Sequence, residues 1–404
     1  MKRLLVVIIS LIVLSLISAK GVLAAQPKLP NASAINNAFA FDLLKKIMAT
    51  DKDKNIFFSP YSISTALAMT FAGARGNTAK EMATVLHYDA LGEGVHKAFH
   101  ILAKDIEKSK TEGYQLNVAN ALWGQEGYGF RKDFLNLVAR YYSGGFNEVD
   151  FVGETEKTRN KINDWVMKKT ANKIKNLLGK HDINAVTRLV LTNAIYFKGN
   201  WASQFKKEMT QKRPFYVKKG KVVDVQMMFK DGKFMYGESN EGLQVLELPY
   251  EGDDLSMVIL LPRKGLEGFR DIMSPATLNA CLSRLEKREV GVFLPKFKFQ
   301  SKYYLGKILI AMGMRDAFDL SADFSGMTGN TNLRISKVIH QADIDVNEEG
   351  TEAAAATAVV MALKSMPSEP ILFKADHPFV FLIRHRPTNA ILFIGLVMNP
   401  NEIK

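Results

Sequence analysis

Two pairs of strand-like segments in the second half of the chain constrain its fold most strongly. LQVLELPY and LSMVILLP flank the turn 251–254, and PFVFLIRH and AILFIGLVMNP flank the turn 387–389. Apolar runs of this length on both sides of a short turn are typical of antiparallel hairpins. Because earlier segments have helical spacing, the 404-residue chain is predicted to form one mixed α+β domain.

Several element boundaries in the remaining sequence can also be predicted. Polar residues that cap helices, and the period of the apolar residues, indicate them. The predicted elements are a helix over 35–48 capped by Ser33, a strand over 56–58, a helix capped by Ser59 with Pro60 in its first turn, an apolar helical stripe over 157–178, and a half-buried strand over 342–346.

The first residues have the composition of a secretory signal. Lys2 and Arg3 precede an apolar run to about Ala19, and small residues follow, with cleavage expected after Ala24 or Ala25. A membrane anchor is the less favoured reading, because the run is short for a span. We therefore expect a signal peptide over 1–24 and one domain over 25–404, secreted to the extracellular space or, in a bacterium, to the periplasm.

The charge favours anionic partners only weakly. The net charge is +13, and removal of the three basic residues of the leader leaves about +10 (13 minus 3). No dense block of lysine or arginine is present, so nucleic acid is not an expected partner. The basic side chains in 161–175 are interpreted first as a solvated helix face.

Motifs for catalysis or metal binding are missing. The sequence contains no GxSxG, HExxH, GxxxxGK[ST] or GxGxxG pattern. His96 and His100 have the spacing of two metal ligands but no third ligand is suggested nearby. Cys281 is the only cysteine, which excludes an intrachain disulfide. We expect no enzyme activity, cofactor or metal.

The most unusual stretch is NEEGTEAAAATAVVMALKSMP, residues 347–367. Alanine favours a helix, but a helix without an amphipathic face cannot dock on a core. Small side chains could instead be exposed in one state and enter a sheet in another. Before this stretch, the strand pattern places His340 on a buried face, where an imidazole needs a hydrogen-bond partner.

These motifs together resemble the serpin family over about residues 35–400. The resemblance is carried by the hinge pattern 348–357 and by NIFFSPYSIS, LTNAIYFKGNW, VFLPKFKF and HPFVFLIRH, in the family's order. It implies a serpin fold with three β-sheets, about nine helices and an exposed reactive loop over about 348–370. Insertion of such a loop into a sheet is a known form of β-strand addition.

The family resemblance also implies a suicide mechanism. A target protease attacks the bait residue, and the cleaved loop enters the main sheet before the acyl-enzyme is hydrolysed. Family spacing from Glu348 places the reactive bond at Lys364–Ser365, and Lys364 is the only basic residue between Gly350 and Phe373. A trypsin-like target is therefore expected, with Met361 or Leu363 as weaker bait for chymotrypsin-like or elastase-like enzymes. A cysteine protease is a further alternative.

The other site residues are carried over by motif. The implied groups are a hinge (Glu348, Gly350, Thr351, Glu352, Ala353, Ala354, Ala355, Ala356, Thr357), a central polar cluster or shutter (Ser59, Ser62, Asn193, His340), and a breach at the top of the sheet (Lys296, Glu348, Trp201). The implied molecule is a monomer without a membrane partner. A heparin-like polyanion bound near 92–110 is a less favoured second partner, because acidic residues dilute the lysines there. A non-inhibitory serpin, acting as a ligand carrier, chaperone or storage protein, is the alternative.

Overall fold

The computed structural model describes residues 31–109, 113–143, 145–266, 268–351 and 371–402. Across these ranges the α-helices are α1 Ala32–Thr50, α2 Pro60–Phe71, α3 Gly76–Val85, α4 Val95–Lys108, α5 Lys132–Tyr142, α6 Thr155–Lys169, α7 Phe269–Ile272, α8 Pro275–Ser283, α9 Gly306–Met312 and α10 Ser325–Thr328. The strands are β1 Ile56–Phe58, β2 Tyr114–Gln125, β3 Phe146–Val149, β4 Leu189–Asn200, β5 Gln211–Lys218, β6 Lys221–Glu238, β7 Leu243–Pro249, β8 Leu255–Pro262, β9 Glu286–Pro295, β10 Phe297–Tyr304, β11 Lys337–Val346, β12 Gly350–Thr351, β13 Ile371–Lys374, β14 Phe379–His385 and β15 Ala390–Val397. The fold is mixed α+β, as the sequence predicts.

Backbone hydrogen bonds connect the described strands into two sheets. The six-stranded sheet has the order β10-β11-β12-β4-β2-β3, and the nine-stranded sheet has the order β1-β15-β14-β8-β7-β6-β9-β13, with β5 beside β6. The larger sheet has one part around β5 and another around β7 and β8, and strand β6 joins them. β6 is 18 residues long and pairs with β5 through its first half and with β7 at its end. The three sheets implied by the family are therefore joined as two hydrogen-bonded networks.

Both predicted hairpins are confirmed. β7 and β8 pair antiparallel, as do β14 and β15, and each pair lies in the core of the larger sheet. All eight residues of β8 and of β15 are buried, which explains their nearly continuous apolar sequence. The aromatic ring of Phe57 in β1 stacks on Phe393 at 5.3 Å between ring centroids.

The six-stranded sheet carries a helix on each side. α2 packs against β2, β4 and β15, and so lies between the two sheets. α6 packs against β2 and covers a second apolar cluster that includes Ala194 and Ile339. Any strand that joined this sheet between β11 and β4 would thus face the core on one side and the α6 layer on the other.

Two predicted helix boundaries are wrong. Asn31, not Ser33, caps α1, because the Asn31 side chain accepts a hydrogen bond from the Ala34 N–H at 2.9 Å, whereas Ser33 is buried inside the helix. The stripe predicted over 157–178 ends as a helix at Lys169, because Ala171 and Asn172 take left-handed backbone conformations. The prediction for Ser59 and Pro60 at the start of α2 is confirmed.

In the described part of the chain, no helix combines the length and the apolar content that spanning a bilayer would take.

Candidate functional site

The four residues of the predicted polar cluster lie together beneath the six-stranded sheet. His340 on β11 and Asn193 on β4 are direct neighbours in a parallel register, and the two side chains are hydrogen-bonded through His340 Nδ1 and Asn193 Oδ1. The backbone N–H of Ser59 donates to His340 Nε2 at 3.1 Å. Because Nε2 accepts, the proton of the neutral imidazole lies on Nδ1, which donates to Asn193.

Burial keeps this imidazole neutral. His340 has no exposed surface, and burial lowers its pKa to about 3, although the contact with Asn193 acts in the opposite direction. Ser59 closes the cluster on the other side: its hydroxyl donates to the Leu392 carbonyl at 2.6 Å. The cluster therefore links β11, β4, the start of α2 and β15 through one uncharged network.

Asn120 on β2 is a member of this cluster that the sequence motifs did not indicate. The Asn193 amide donates to Asn120 Oδ1 at 2.6 Å and to the Ser62 hydroxyl at 2.7 Å, and that hydroxyl in turn donates to Asn120 Oδ1 at 2.7 Å. Asn120 lies directly opposite Asn193 across the β2–β4 ladder. An asparagine between two alanines within a strand is the only local signal that could have indicated it.

The predicted pair of Lys296 and Glu348 is formed at the upper end of the sheet. Lys296 Nζ lies 2.8 Å from Glu348 Oε2, and the Thr210 hydroxyl donates to Oε1 at 2.8 Å. Burial of Glu348 favours its protonated form, but the hydrogen bonds from Lys296, its own backbone and Thr210 outweigh this and hold the pKa of Glu348 below its usual range. The carboxylate is thus ionised and fixed in place.

Trp201 contacts the hinge backbone. Its indole N–H donates to the Asn347 carbonyl at 3.0 Å, and its backbone N–H donates to the Glu349 carbonyl at 2.9 Å. The indole also stacks on Tyr250, with 4.7 Å between the ring centroids. Trp201 and Lys296 therefore hold neighbouring parts of one segment, residues 347–349.

The first residues of the predicted exposed loop are not exposed. Glu348, Glu349 and Thr351 are buried, and Gly350–Thr351 form strand β12 between β11 and β4. The prediction of an exposed loop therefore no longer applies to residues 348–351 and is left only for residues after Thr351. The physical reason is satisfaction of polar groups: β12 makes backbone ladder pairs on both sides, which the same residues in a solvated loop would not make.

Gly350 and Thr351 each suit this docked position. A Cβ atom at Gly350 would collide with the Gly199 carbonyl oxygen, so only glycine allows the two backbones to approach this closely. The Thr351 hydroxyl lies 2.8 Å from the hydroxyl of Tyr250. No sequence pattern indicated Tyr250, because it lies 101 positions away from Thr351 in the chain.

Glu349 has a partner that was also not predicted. Lys207 Nζ lies 2.7 Å from Glu349 Oε1, and this hydrogen bond raises the pKa of Lys207. Adjacent buried carboxylates at 348 and 349 are thus each neutralised by a different lysine. The Lys207 pair holds the start of the hinge against the segment that follows β4, and the Lys296 pair holds it against the junction of β9 and β10.

The remaining hinge and bait residues lie outside the described residues. They are Glu352, Ala353, Ala354, Ala355, Ala356, Thr357, Lys364 and Ser365. Their roles stay predictions. The described chain resumes at Ile371 in β13, which pairs parallel with β9 at the edge of the larger sheet.

The other candidate sites have structural roles in the described part of the chain. His96 Nδ1 lies 2.8 Å from the Tyr142 hydroxyl, and His100 Nδ1 lies 3.1 Å from the Tyr141 carbonyl, so each ring has its own partner. Cys281 is buried, and burial raises the pKa of its thiol. No group of three or more His, Cys, Asp or Glu side chains among the described residues is arranged to hold a metal ion.

Comparisons with known proteins agree with this geometry. The family model of serpins, described as serine protease inhibitors, matches residues 34–400. Leukocyte elastase inhibitor of Xenopus tropicalis is 43% identical over 378 residues, which cover 92% of this chain and 100% of that protein. An uncharacterised serpin-like protein of Thermococcus kodakarensis is 43% identical over 376 residues, which cover 92% of this chain and 86% of that protein.

Solved structures agree as well. Human thyroxine-binding globulin, complexed with thyroxine, superposes with a TM-score of 0.83 at 32% identity, and the match covers 92% of this chain and 99% of that chain. The chain belongs to the serpin family.

Proposed function

We propose that the protein is a secreted, suicide-type inhibitor of trypsin-like serine proteases, which traps the acyl-enzyme by inserting its cleaved loop into the six-stranded sheet. The observation that carries this proposal is the docked hinge. Gly350 and Thr351 already occupy the position of a new strand, at one end of a pair of parallel strands, β11 and β4, that are otherwise in direct contact.

The strand register supports insertion in the same direction. Thr351 pairs with Gly199 on β4 and with Val346 on β11, and both pairings are antiparallel. Each further residue would move one position back along both strands. Insertion would thus replace one parallel ladder by two antiparallel ladders, which are slightly more stable for each residue and add hydrogen bonds.

The side chains of the predicted insert suit the two faces of this sheet. Alternate residues of a strand point to opposite faces, so Ala354 and Ala356 would face the α6 layer, on the side of the apolar cluster that includes Ala194 and Ile339. On the core face, Ala353 and Ala355 would follow Thr351. The run of alanines is therefore explained by packing in the inserted state rather than by helix propensity.

The chemistry in this mechanism is done by the target protease. Its serine oxygen attacks the carbonyl carbon of Lys364, the bond to the Ser365 nitrogen breaks, and the new amine takes the proton from the protease histidine. The protease is then joined to Lys364 by an ester. Insertion of the 13 residues 352–364 that follow the docked Thr351 would carry it about 43 Å at roughly 3.3 Å for each residue, before water can hydrolyse the ester.

The trypsin-like specificity depends on Lys364 alone. A protease pocket with a buried acid accepts a lysine and disfavours apolar residues. Met361 and Leu363 remain alternative bait for chymotrypsin-like or elastase-like proteases, and an inhibitor of leukocyte elastase is among the relatives. Inhibition of a cysteine protease is a further alternative, because a thiol ester would form in the same way.

A ligand carrier without inhibitory activity is the second candidate function. The likeness to thyroxine-binding globulin favours it, because that serpin was solved with thyroxine bound. Such non-inhibitory serpins typically have bulky or charged hinges. The docked Thr351 and the alanines that follow favour the inhibitor.

Two further parts of the proposal concern location and partners. Residues 1–24 are proposed to be a signal peptide that directs secretion of a monomeric domain over 25–404. A heparin-like polyanion on α4 is the less favoured partner, because Lys104 and Lys108 are each paired with an acid of the same helix, at 3.0 Å to Glu107 and 3.2 Å to Asp105. We propose no nucleic-acid or membrane partner.

One experiment separates these functions. The mature protein is incubated with an equimolar amount of trypsin, and the products are separated by denaturing electrophoresis after boiling. An inhibitor gives a covalent complex and releases a peptide, and the mass of that peptide shows that it begins at Ser365. Cleavage after Lys364 without a complex would support the carrier, and the absence of cleavage after Lys364 would overturn the trypsin-like specificity. Trypsin with its serine blocked is the control and should give neither product.

A further inference from the structure

A cavity of about 290 Å³ lies beside the segment that holds the hinge. One part of its wall is apolar and aromatic, formed mainly by Trp201, Phe205 and Phe234. The other part is basic, with Lys233, Lys287 and Arg386. Ligand sites in proteins are commonly concave, with an apolar lining and a few charged groups that set orientation, and this cavity has the size of a small organic molecule.

The acidic groups of the cavity already have basic partners. Glu247 lies 2.7 Å from Arg384 and 3.4 Å from Arg386, and Asp253 lies 3.5 Å from Arg386. Lys233 lies 3.6 Å from Glu289. Lys287, in contrast, makes no ion pair or side-chain hydrogen bond with the described residues.

An unpaired lysine at the edge of an aromatic wall defines the chemistry of a ligand. The flat apolar body of a ligand would lie against the aromatic side chains and lose its contact with water. An anionic group on that body would meet the ammonium of Lys287. An ammonium on the ligand would instead be repelled, because both acids are already matched.

We propose that this cavity is a binding site for a small aromatic carboxylate or sulfonate, with its ring on Trp201, Phe205 and Phe234 and its anionic group at Lys287. None of the residues that line the cavity belongs to the predicted hinge or reactive bond. The cavity is joined to the hinge by the backbone: Trp201 N–H donates to the Glu349 carbonyl at 2.9 Å, and Phe205 N–H donates to the Glu348 carbonyl at 2.8 Å. A bound ligand would therefore stabilise the folded state in which the hinge is docked.

The proposal can be tested by calorimetric titration of the mature protein with three probes of the same size and different charge. These are 2-naphthoate, 2-naphthylmethanol and 2-naphthylmethylamine. We expect saturable binding of one molecule of 2-naphthoate, at least about tenfold tighter than either of the others, and a higher melting temperature in its presence. No saturable binding of 2-naphthoate, or equal affinities for the three probes, would overturn the proposal.

Charge reversal at Lys287 locates the anionic group. Lys287→Glu should weaken 2-naphthoate about tenfold or more and strengthen 2-naphthylmethylamine. The matched control is Lys168→Glu, which reverses another exposed lysine, on α6, and should change neither affinity. If both variants bind 2-naphthoate like the parent protein, the probe does not occupy this cavity in the proposed orientation. The melting temperature of each variant without probe shows whether it is folded.

Discussion

The hydroxyl of Thr351 lies 2.8 Å from the hydroxyl of Tyr250, and both side chains are buried. This contact joins the hinge to a residue at the end of the β7–β8 hairpin. Burial raises the pKa of Tyr250 further above neutral pH, so the phenol keeps its proton for this hydrogen bond. The hinge is thus held in the sheet by its side chain as well as by its backbone.

Thr351→Arg should convert the inhibitor into a substrate. A guanidinium could stay buried beside Tyr250 without a counter-ion only at a cost of several kcal/mol, so the hinge of this variant should leave the sheet before cleavage and would have to bury the arginine during insertion. A rise of about 3 kcal/mol in the insertion barrier slows insertion more than a hundredfold, while deacylation is unchanged. Trypsin should still cleave after Lys364 at a similar rate, and the number of inhibitor molecules consumed for each trypsin molecule inactivated should rise steeply.

The matched control for this variant is Thr84→Arg, on the exposed face of α3, which should inhibit like the parent protein. Near-equimolar trapping of trypsin by Thr351→Arg would show that insertion of this hinge is not the mechanism.

Lys364→Phe should change which protease is inhibited without changing the insertion of the loop. One side chain fills the specificity pocket of the protease, and the residues that insert are unaltered. The association rate with trypsin should fall by orders of magnitude, and the rate with chymotrypsin should rise. Lys132→Phe, at the exposed start of α5, serves as the control. An unchanged trypsin rate would place the bait at another residue.

His340→Ala should make the native protein polymerise or convert to an inactive monomer on mild warming. The loss removes the hydrogen bonds to Asn193 and Ser59 and leaves buried polar groups unpaired, at about 1–3 kcal/mol. Native gels after heating at graded temperatures measure the effect. His181→Ala removes an exposed histidine and should behave like the parent protein. If His340→Ala stays a native monomer up to the same temperature as the parent protein, the cluster has no role in holding the strands together.

Acid should destabilise the native state through the same histidine. Its pKa is about 3 in the folded protein, against an ordinary value of 6.5 for an exposed histidine, so the unfolded chain binds the extra proton between these pH values. The free energy of unfolding therefore decreases as the pH falls from 6.5 toward 3, by at most about 1.4 kcal/mol for each pH unit.

Urea unfolding of the parent protein and of His340→Gln at pH 7 and pH 5 isolates this contribution, because the other histidines whose pKa burial lowers, such as His96 and His385, titrate in both proteins. The decrease in the free energy of unfolding from pH 7 to pH 5 should be smaller in His340→Gln than in the parent protein. Equal losses would mean that His340 does not titrate on unfolding in this range.

The register of the docked strand predicts a pairing in the cleaved protein. Ala355 is four positions after Thr351, so it should lie opposite Ala342, four positions before Val346. With Cys281 replaced by alanine, Ala355→Cys and Ala342→Cys should form a disulfide only after cleavage, because directly opposed strand residues have a suitable spacing. Ala356→Cys with Ala342→Cys is the control, since residue 356 would point to the other face. A disulfide in the control pair alone would show a register shifted by one residue.

The parts of the fold that the sequence predicted well are those with a local cause. The hairpins were predictable because apolar strands and turn residues are contiguous, and the start of α2 because Ser59 and Pro60 both favour a first turn. At the end of α6 the apolar stripe was misleading. Ile174 and Leu177 are buried in the same cluster as the helix, although they lie in an irregular segment.

The candidate site was predictable only where a family motif names the residue. The partners that were missed, Asn120, Lys207 and Tyr250, act on the known positions through contacts between distant parts of the chain. Composition also could not show that Thr351 is buried before any cleavage, because that depends on Tyr250 and on the space beside Gly199.

Because strand β12 is already docked, the cleaved loop does not first have to find its pairing position between β11 and β4. In a chain folding onto a template, forming the first ordered pair is slow and each later pair is added beside an existing one. Here the first pairing, of Thr351 with Gly199 and Val346, is already present. Insertion can therefore proceed one residue at a time from Thr351, as β11 and β4 separate in a fixed order. The β11–β4 pair Tyr196–Asp343 would part first and Val190–Lys337 last. A substitution that stabilises one β11–β4 pair should therefore slow insertion when the loop reaches that pair. The closer the substituted residue of β4 lies to Val190, the longer the part of the loop that is already inserted when insertion slows.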